Sequence, residues 1–165
     1  MTLSKHQIDN LLTAISSSLK DAYDYDKYLI DNKVHERTIV GRFAIYFQQK
    51  LNQIDYSDFH LDIEYNRDHS DPKRTKNFPK GTFPDVIVHK RGSNDKNLCI
   101  IEFKTWWNPN TDKDIKKLKE FTDEEYKYKY GIGFSITLNR NCPPVIQMIE
   151  KGRLINNIQR SEVYV

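Results

Sequence analysis

The chain has few of the residues that mark covalent scaffolds, and no membrane-length apolar run. Its 165 residues include two cysteines, six glycines and six prolines. Cys99, inside an apolar stretch, and Cys142, beside Pro143, give neither a disulfide framework nor a metal-ligand spacing. No apolar run approaches the length that crosses a bilayer, and the first residues lack the basic start and apolar centre of a signal peptide. These absences favour a cytoplasmic protein in a reducing setting, with no membrane partner.

The chain also has little net charge. Charged residues make up 30% of it, yet the formal net charge is only +3. A nucleic-acid partner would therefore be attracted by a local basic patch and not by the whole surface. The length predicts a single domain over 1–165, with an N-terminal helix and loop at 1–31, a core at 34–138 and a C-terminal extension at 139–165.

The most informative stretch reads FPDVIVHKRGSNDKNLCIIEFKTWW and begins at Phe83. Its apolar runs at 86–88 and 98–103, separated by a polar turn, predict a β-hairpin. Opposed residues of an antiparallel pair point to the same face, so a symmetric hairpin places Asp85 opposite Glu102, with Lys104 on that face. Opposed carboxylates repel each other unless a cation such as Mg²⁺ binds them. The alternative is a solvated surface pair.

A helix predicted over 34–54 adds another carboxylate. Its apolar stripe extends back to Glu36, so this side chain points toward the core. A glutamate in the first turn can simply interact with the helix dipole. The functional interpretation, which we favour, is that Glu36 joins Asp85 and Glu102.

A polar loop predicted at 68–82 leads into Asp85. It carries four basic residues, Lys73, Arg74, Lys76 and Lys80. Basic contacts with phosphate supply most sequence-independent affinity for nucleic acid, so the loop is a candidate backbone clamp, with Arg37 on the preceding helix as a further contact. An ordinary solvated loop is the alternative.

The remaining pattern predicts an α/β (α+β) protein. The other predicted elements are a helix at 4–22, a strand at 59–65, a helix at 111–125 and a strand at 130–138. The segment 23–28 is predicted to be a loop that packs on the domain, with a partner contact as the alternative, and 145–158 a terminal hairpin, with a short helix as the alternative. His89 is predicted to be a peripheral groove residue, four positions along the strand from Asp85. Trp106 and Trp107 either cap the core, which is the commoner use of tryptophan, or stack on bases.

Pro84-Asp85 followed by Glu102-Phe103-Lys104 resembles the signature of the PD-(D/E)XK nuclease superfamily, or restriction-endonuclease-like fold. Around Glu36 and Glu64, the segments HER and EYNR also resemble a group of small bacterial members. The resemblance implies an αβββαβ core, with a mixed central sheet flanked by helices. It further implies Mg²⁺ or Mn²⁺ held by Asp85, Glu102, Glu36 and the backbone carbonyl of Phe103, while Lys104 positions or activates the attacking water.

The expected function is that of a metal-dependent endonuclease, with DNA as the expected substrate. Asp85, Glu102, Lys104 and Glu36 form the candidate catalytic set. The resemblance implies products with a 5′-phosphate and a 3′-hydroxyl. The alternative is a catalytically silent module of the same fold that binds nucleic acid or a partner protein, because a fold does not fix a function. A homodimer and a partner subunit both remain open, as does a role for Glu64 at the metal site.

Overall fold

The computed structural model describes residues 1–54 and 56–159. The helices are α1 Lys5–Tyr25, α2 Lys27–Asp31, α3 Glu36–Leu51 and α4 Asp112–Thr122. The strands are β1 His60–Ile63, β2 Val86–His89, β3 Asn97–Thr105, β4 Ile132–Leu138, β5 Val145–Glu150 and β6 Arg153–Gln159. None of the helices in these residues is both long enough and apolar enough to span a bilayer.

The six strands form one mixed sheet in the order β1-β2-β3-β4-β5-β6. β3 and β4 are parallel, and the other neighbouring strands are antiparallel. A parallel pair needs a long crossover connection, and α4 supplies it between β3 and β4. The predicted mixed sheet flanked by helices is confirmed, and the predicted terminal hairpin forms its last two strands.

Helices cover both faces of the sheet. Successive side chains of a strand point to opposite faces, and the central strands carry apolar side chains on both. Val88 and Phe103 belong to the large apolar cluster that includes residues of α1 and α3. Ile87 and Ile100 belong to a smaller cluster with Phe121 of α4. The two clusters fix β2 and β3 between helical layers, so charged side chains on these strands can emerge only near the strand ends.

The central hairpin has the predicted register from Val86 to Val88 and shifts by one residue at His89, which pairs with Asn97. Val86 pairs with Ile101, and Ile87 pairs with Ile100. Asp85 immediately precedes β2, so the register brings it level with Glu102. The Asp85 Oδ2 atom accepts a 2.7 Å hydrogen bond from the backbone N–H of Phe103, which holds the carboxylate against β3.

The tyrosine-rich segment at 23–28 differs from its prediction as a loop. α1 continues through Tyr25, and α2 begins at Lys27. Tyr23 is buried, and its hydroxyl donates a 2.8 Å hydrogen bond to the carbonyl of Asn139. This long-range packing stabilises a helical turn that the Asp and Tyr alternation did not indicate.

The tryptophans that follow β3 cap the core. Trp106 and Trp107 both pack against the larger apolar cluster. The indole N–H of Trp106 donates a 3.0 Å hydrogen bond to the carbonyl of Ile30 in α2. The core-capping interpretation is therefore confirmed.

Candidate active site

Carboxylates and lysines from four segments meet at one end of the central hairpin. Lys104 Nζ lies 2.9 Å from Asp114 Oδ2 and 4.0 Å from Glu36 Oε1. Lys117 Nζ lies 2.6 Å from Glu102 Oε2. The group that we call the acidic cluster consists of Glu36, Asp85, Glu102, Lys104, Asp114 and Lys117. It brings together all the predicted catalytic residues and adds Asp114 and Lys117 from α4.

Glu102 is the most deeply buried carboxylate of the cluster, with 2% of the residue exposed. Its Oε2 atom accepts the hydrogen bond from Lys117, whereas Oε1 is buried and has no hydrogen-bond partner among the described residues. Burial raises the pKa of Glu102 well above its ordinary value, and the nearby charges of Asp85 and Asp114 add to the effect despite Lys117. A further cation beside Oε1 would stabilise the ionised form.

Asp85 and Glu36 are also shifted toward their neutral forms. Burial raises the pKa of Asp85, and this effect outweighs the opposing hydrogen bond from Phe103 and the charge of Lys117. Burial likewise raises the pKa of Glu36, with Lys104 opposing the shift and Asp85 adding to it. The negative charge of Asp85 therefore acts on the Glu36 carboxyl.

Lys104 is held in its charged form. Burial acts to lower its pKa, but the contact that its ammonium makes with the Asp114 carboxylate and the charges of Glu36 and Asp85 outweigh that effect and raise the pKa. Its Nζ also donates a 3.1 Å hydrogen bond to the carbonyl of Phe103. A lysine in this state supplies a positive charge and N–H donors.

Sequence reasoning missed Asp114 and Lys117 as members of the site. The signal was their position on the apolar stripe of α4, because residues 114, 117, 118 and 121 recur at helical spacing. Both side chains are indeed buried beside Leu118 and Phe121.

The charges of the acidic cluster do not balance. Four carboxylates meet two ammonium groups, which leaves an excess of two negative charges when every group is ionised. Carboxylate oxygens are the ligands that Mg²⁺ and Mn²⁺ prefer, and the unbonded Oε1 of Glu102 is such a ligand. The donor chemistry therefore fits a divalent cation.

Lysine side chains lie beside the carboxylates of the acidic cluster. Among residues 1–54 and 56–159, no group of three His, Cys, Asp or Glu side chains is placed so as to hold a metal ion. The Phe103 carbonyl, a predicted ligand, accepts its hydrogen bond from Lys104. Glu102 Oε1 therefore remains open to a cation while Lys117 occupies Oε2.

Three of the predicted nucleic-acid contacts, Arg74, Lys76 and Lys80, are exposed on the 68–82 loop. The end of this loop touches the acidic cluster, because Lys117 Nζ donates a 3.3 Å hydrogen bond to the carbonyl of Phe83. Arg37 is exposed on α3, and its Nε lies 2.6 Å from Glu64 Oε1. Glu64 is thus engaged with an arginine.

Lys73 and His89 differ from their predicted positions. Lys73 does not project from the loop, since only 1% of it is exposed and its Nζ donates a 2.7 Å hydrogen bond to Tyr130 Oη. His89 is buried and not peripheral, and its Nε2 lies 2.8 Å from Asp62 Oδ2. The surrounding tyrosines cover Lys73, which is why a basic residue in a polar loop is removed from solvent.

Comparisons of this chain with protein-family models, curated proteins and solved structures give no match. Function must therefore be inferred from the side chains of the acidic cluster and their surroundings.

Proposed function

We propose that the protein is a Mg²⁺- or Mn²⁺-dependent endonuclease of the restriction-endonuclease-like fold, which hydrolyses phosphodiester bonds in DNA. The observation that carries the proposal is the uncompensated negative charge around Glu102, whose Oε1 atom is buried without a hydrogen-bond partner among the described residues. Lys104 stands beside this charge with donors available for a phosphate or a water molecule.

In this proposal Asp85, Glu102 and Glu36 hold the cation, with the Phe103 carbonyl as a further ligand. When bound there, a divalent cation would lower the pKa of a water molecule and offset charge on the phosphate. Lys117 keeps its hydrogen bond to Glu102 Oε2, so that Oε1 is the oxygen offered to the cation. Asp114, 2.9 Å from Lys104 Nζ, keeps that ammonium in place.

Lys104 acts as a positioning and charge-stabilising group. Because neighbouring carboxylates raise its pKa, it enters the reaction protonated. Its N–H groups orient the attacking water or donate to a phosphate oxygen as negative charge develops there. Arg74, Lys76 and Lys80, exposed on the loop that ends at the cluster, contact the nucleic-acid backbone, with Arg37 on α3 as a further contact.

The second candidate function is a silent binding module, and one observation favours it. The 2.6 Å contact between Lys117 and Glu102 already gives the buried carboxylate a counter-ion. If that counter-ion is sufficient, the acidic cluster is a structural network, and the exposed basic loop alone binds nucleic acid or a partner protein.

A cleavage assay separates the two functions. Purified protein is incubated with supercoiled plasmid, linear duplex, single-stranded DNA and RNA, each with Mg²⁺, Mn²⁺ or a chelator. The nuclease nicks DNA only with metal, and Lys104→Ala lowers the rate by about 100-fold or more, as expected for loss of a preorganised donor. Lys113→Ala, an exposed lysine of α4, serves as the matched control.

Glu36→Gln provides a second variant, since Glu36 is only partly buried and its loss leaves the buried Lys117 and Glu102 pair intact. Melting curves establish that each variant is folded. Cleavage that is absent with every substrate and metal, or equal in Lys104→Ala and Lys113→Ala, contradicts the proposal and favours the binding module.

A further inference from the structure

A charged pocket lies at the opposite end of β2 from the acidic cluster. Its volume is about 60 Å³, and its lining includes Tyr65, Arg67, His69, Lys73, His89 and Asn94. At about 15 Å³ for each water molecule, this space suits a small ion and is too small for a nucleotide base. We call it the Lys73 pocket.

Lys73 is a buried cation that has no carboxylate beside it as a counter-ion among the described residues. Its Nζ donates to Tyr130 Oη and lies 5.2 to 5.7 Å from the ring centres of Tyr65, Tyr128 and Tyr130. Among residues 1–54 and 56–159, Lys73 forms no ion pair with a carboxylate. An ammonium held away from water without a counter-ion is costly, so an anionic ligand would supply what the fold leaves out.

The two carboxylates whose charges act on Lys73, Asp62 and Asp68, are already engaged by other partners. Asp62 forms an ion pair with Arg91, and its Oδ2 lies 2.8 Å from His89 Nε2. Asp68 forms an ion pair with Lys127 and accepts a 2.6 Å hydrogen bond from Asn94 Nδ2.

Arg67 adds a second cation to the lining of the pocket. Like Lys73, it has no ion-pair partner among the described residues, so it too is available to a ligand. The pocket thus contains two cations that are available to a ligand, and the nearby carboxylates are already paired with other residues.

We propose that the Lys73 pocket binds a phosphate group, with Lys73 Nζ and the Arg67 guanidinium as its charged donors. The phosphate is either a free inorganic ion or the terminal phosphate of a nucleic-acid strand. His89 at the pocket lies four residues from Asp85, about 13 Å along β2. A strand end held there would leave the rest of the strand free to reach the acidic cluster. That second source rests on the proposed nuclease, whereas the phosphate site itself does not.

The test measures binding with chelator present, so that no divalent cation takes part. Titration with inorganic phosphate is followed by calorimetry, and fluorescence anisotropy compares oligonucleotides that carry a 5′-phosphate or a 5′-hydroxyl. Arg67→Gln should weaken phosphate binding about tenfold or more, as loss of a charge-assisted hydrogen bond implies. Lys73→Met should abolish it. Lys96→Gln, which removes an exposed charge from the neighbouring turn, should change it less than about twofold.

Each outcome assigns or removes the site. A preference for the 5′-phosphorylated oligonucleotide that Arg67→Gln abolishes assigns the pocket to a strand end, and phosphate binding without this preference assigns it to the free ion. Absence of both, or equal weakening by Arg67→Gln and Lys96→Gln, overturns the proposal. If Lys73→Met fails to fold, the Arg67→Gln variant still tests the proposal, because Arg67 is exposed and its replacement should leave the fold intact. Because chelator removes the metal, a protein inactive in the cleavage assay can still pass this test.

Discussion

The two ends of strand β2 place buried charges of opposite sign in different surroundings. At its beginning, the acidic cluster pairs buried charges with each other, as in the 2.6 Å contact between Lys117 and Glu102. At its end, the ammonium of Lys73 meets a phenol hydroxyl and ring faces. The cluster retains an excess of negative charge, and the pocket an excess of positive charge. One site therefore suits a divalent cation and the other a phosphate.

The pKa shifts at the two sites have a common cause. Burial raises the pKa of Glu102 and lowers the pKa of Lys73 to about 8, because each neutral form costs less to keep from water. A bound ion of the opposite charge would reverse each shift. Buried charges that are only partly compensated thus indicate where ligands of each sign would bind.

The largest expected effect concerns the acidic cluster, where buried charges are paired. Lys117→Met leaves the buried carboxylate of Glu102 without its cation, so we expect a loss of about 3–5 kcal/mol in the free energy of unfolding, measured by urea denaturation in chelator. Lys119→Met, which alters an exposed lysine of the same helix, should change that free energy by less than about 0.5 kcal/mol.

A double mutant tests the reason for that loss. Adding Glu102→Gln to Lys117→Met removes the stranded charge and should restore part of the stability. If Lys117→Met is as harmless as Lys119→Met, the pair contributes little and the acidic cluster is not a coupled network.

The buried, unpaired ammonium of Lys73 should make the stability of the protein depend on pH. Folded Lys73 releases its proton near pH 8 and the unfolded chain near its ordinary value of 10.5, so between these values the unfolded state holds more protons. Stability should therefore rise with pH, by about 2 kcal/mol between pH 8 and 10. Tyr128 and Tyr130, whose pKa values burial raises, act in the opposite direction only above pH 10.

Lys73→Met supplies the comparison, because it lacks this titration. We expect chemical denaturation across the same pH range to show the rise in the wild type and not in the variant. Parallel pH profiles for the two proteins would mean that Lys73 titrates at its ordinary pKa and that the pocket does not penalise its charge.

The smallest expected effect concerns the exposed basic residues, which stand outside both buried sites. Replacing Arg74, Lys76 and Lys80 by glutamine should weaken binding to duplex DNA and reduce its salt dependence. The slope of log affinity against log salt should fall by about 0.9 for each lost phosphate contact. Arg153→Gln on β6 is the control, and an unchanged slope in the triple variant would show that the loop does not contact the backbone.

Local patterns were sufficient to predict much of the fold. Alternation and turn residues predicted the hairpin of β2 and β3 with the register that pairs Val86 with Ile101. Helical spacing predicted α1, α3 and α4, although the ends of all three helices differ from their predicted bounds by one to three residues. The helix through Tyr25 was missed because it depends on the contact of Tyr23 with Asn139, which are far apart in sequence.

The candidate site was predictable only where one element carried the signal. Asp85, Glu102 and Lys104 followed from strand alternation, and Glu36 from the stripe of its own helix. Lys73 was placed in solvent because a basic residue in a polar loop is ordinarily exposed, whereas its burial depends on tyrosines from distant segments, including Tyr65 and Tyr130. Sequence patterns do not show which distant side chains surround a loop.

Thermal melting across a Mn²⁺ titration tests most directly whether the acidic cluster binds a divalent cation. In chelator, Asp85→Asn should melt within a few degrees of the wild type or above it, because it removes repulsion with Glu102 and the asparagine oxygen can still accept from Phe103 N–H. With Mn²⁺, the wild type should gain about 2.7 kcal/mol at 100 times the dissociation constant, and Asp85→Asn far less. Asp9→Asn, altered at an exposed site on α1, should follow the wild type. Strong destabilisation of Asp85→Asn in chelator, or equal responses of all three proteins to Mn²⁺, would contradict the metal site.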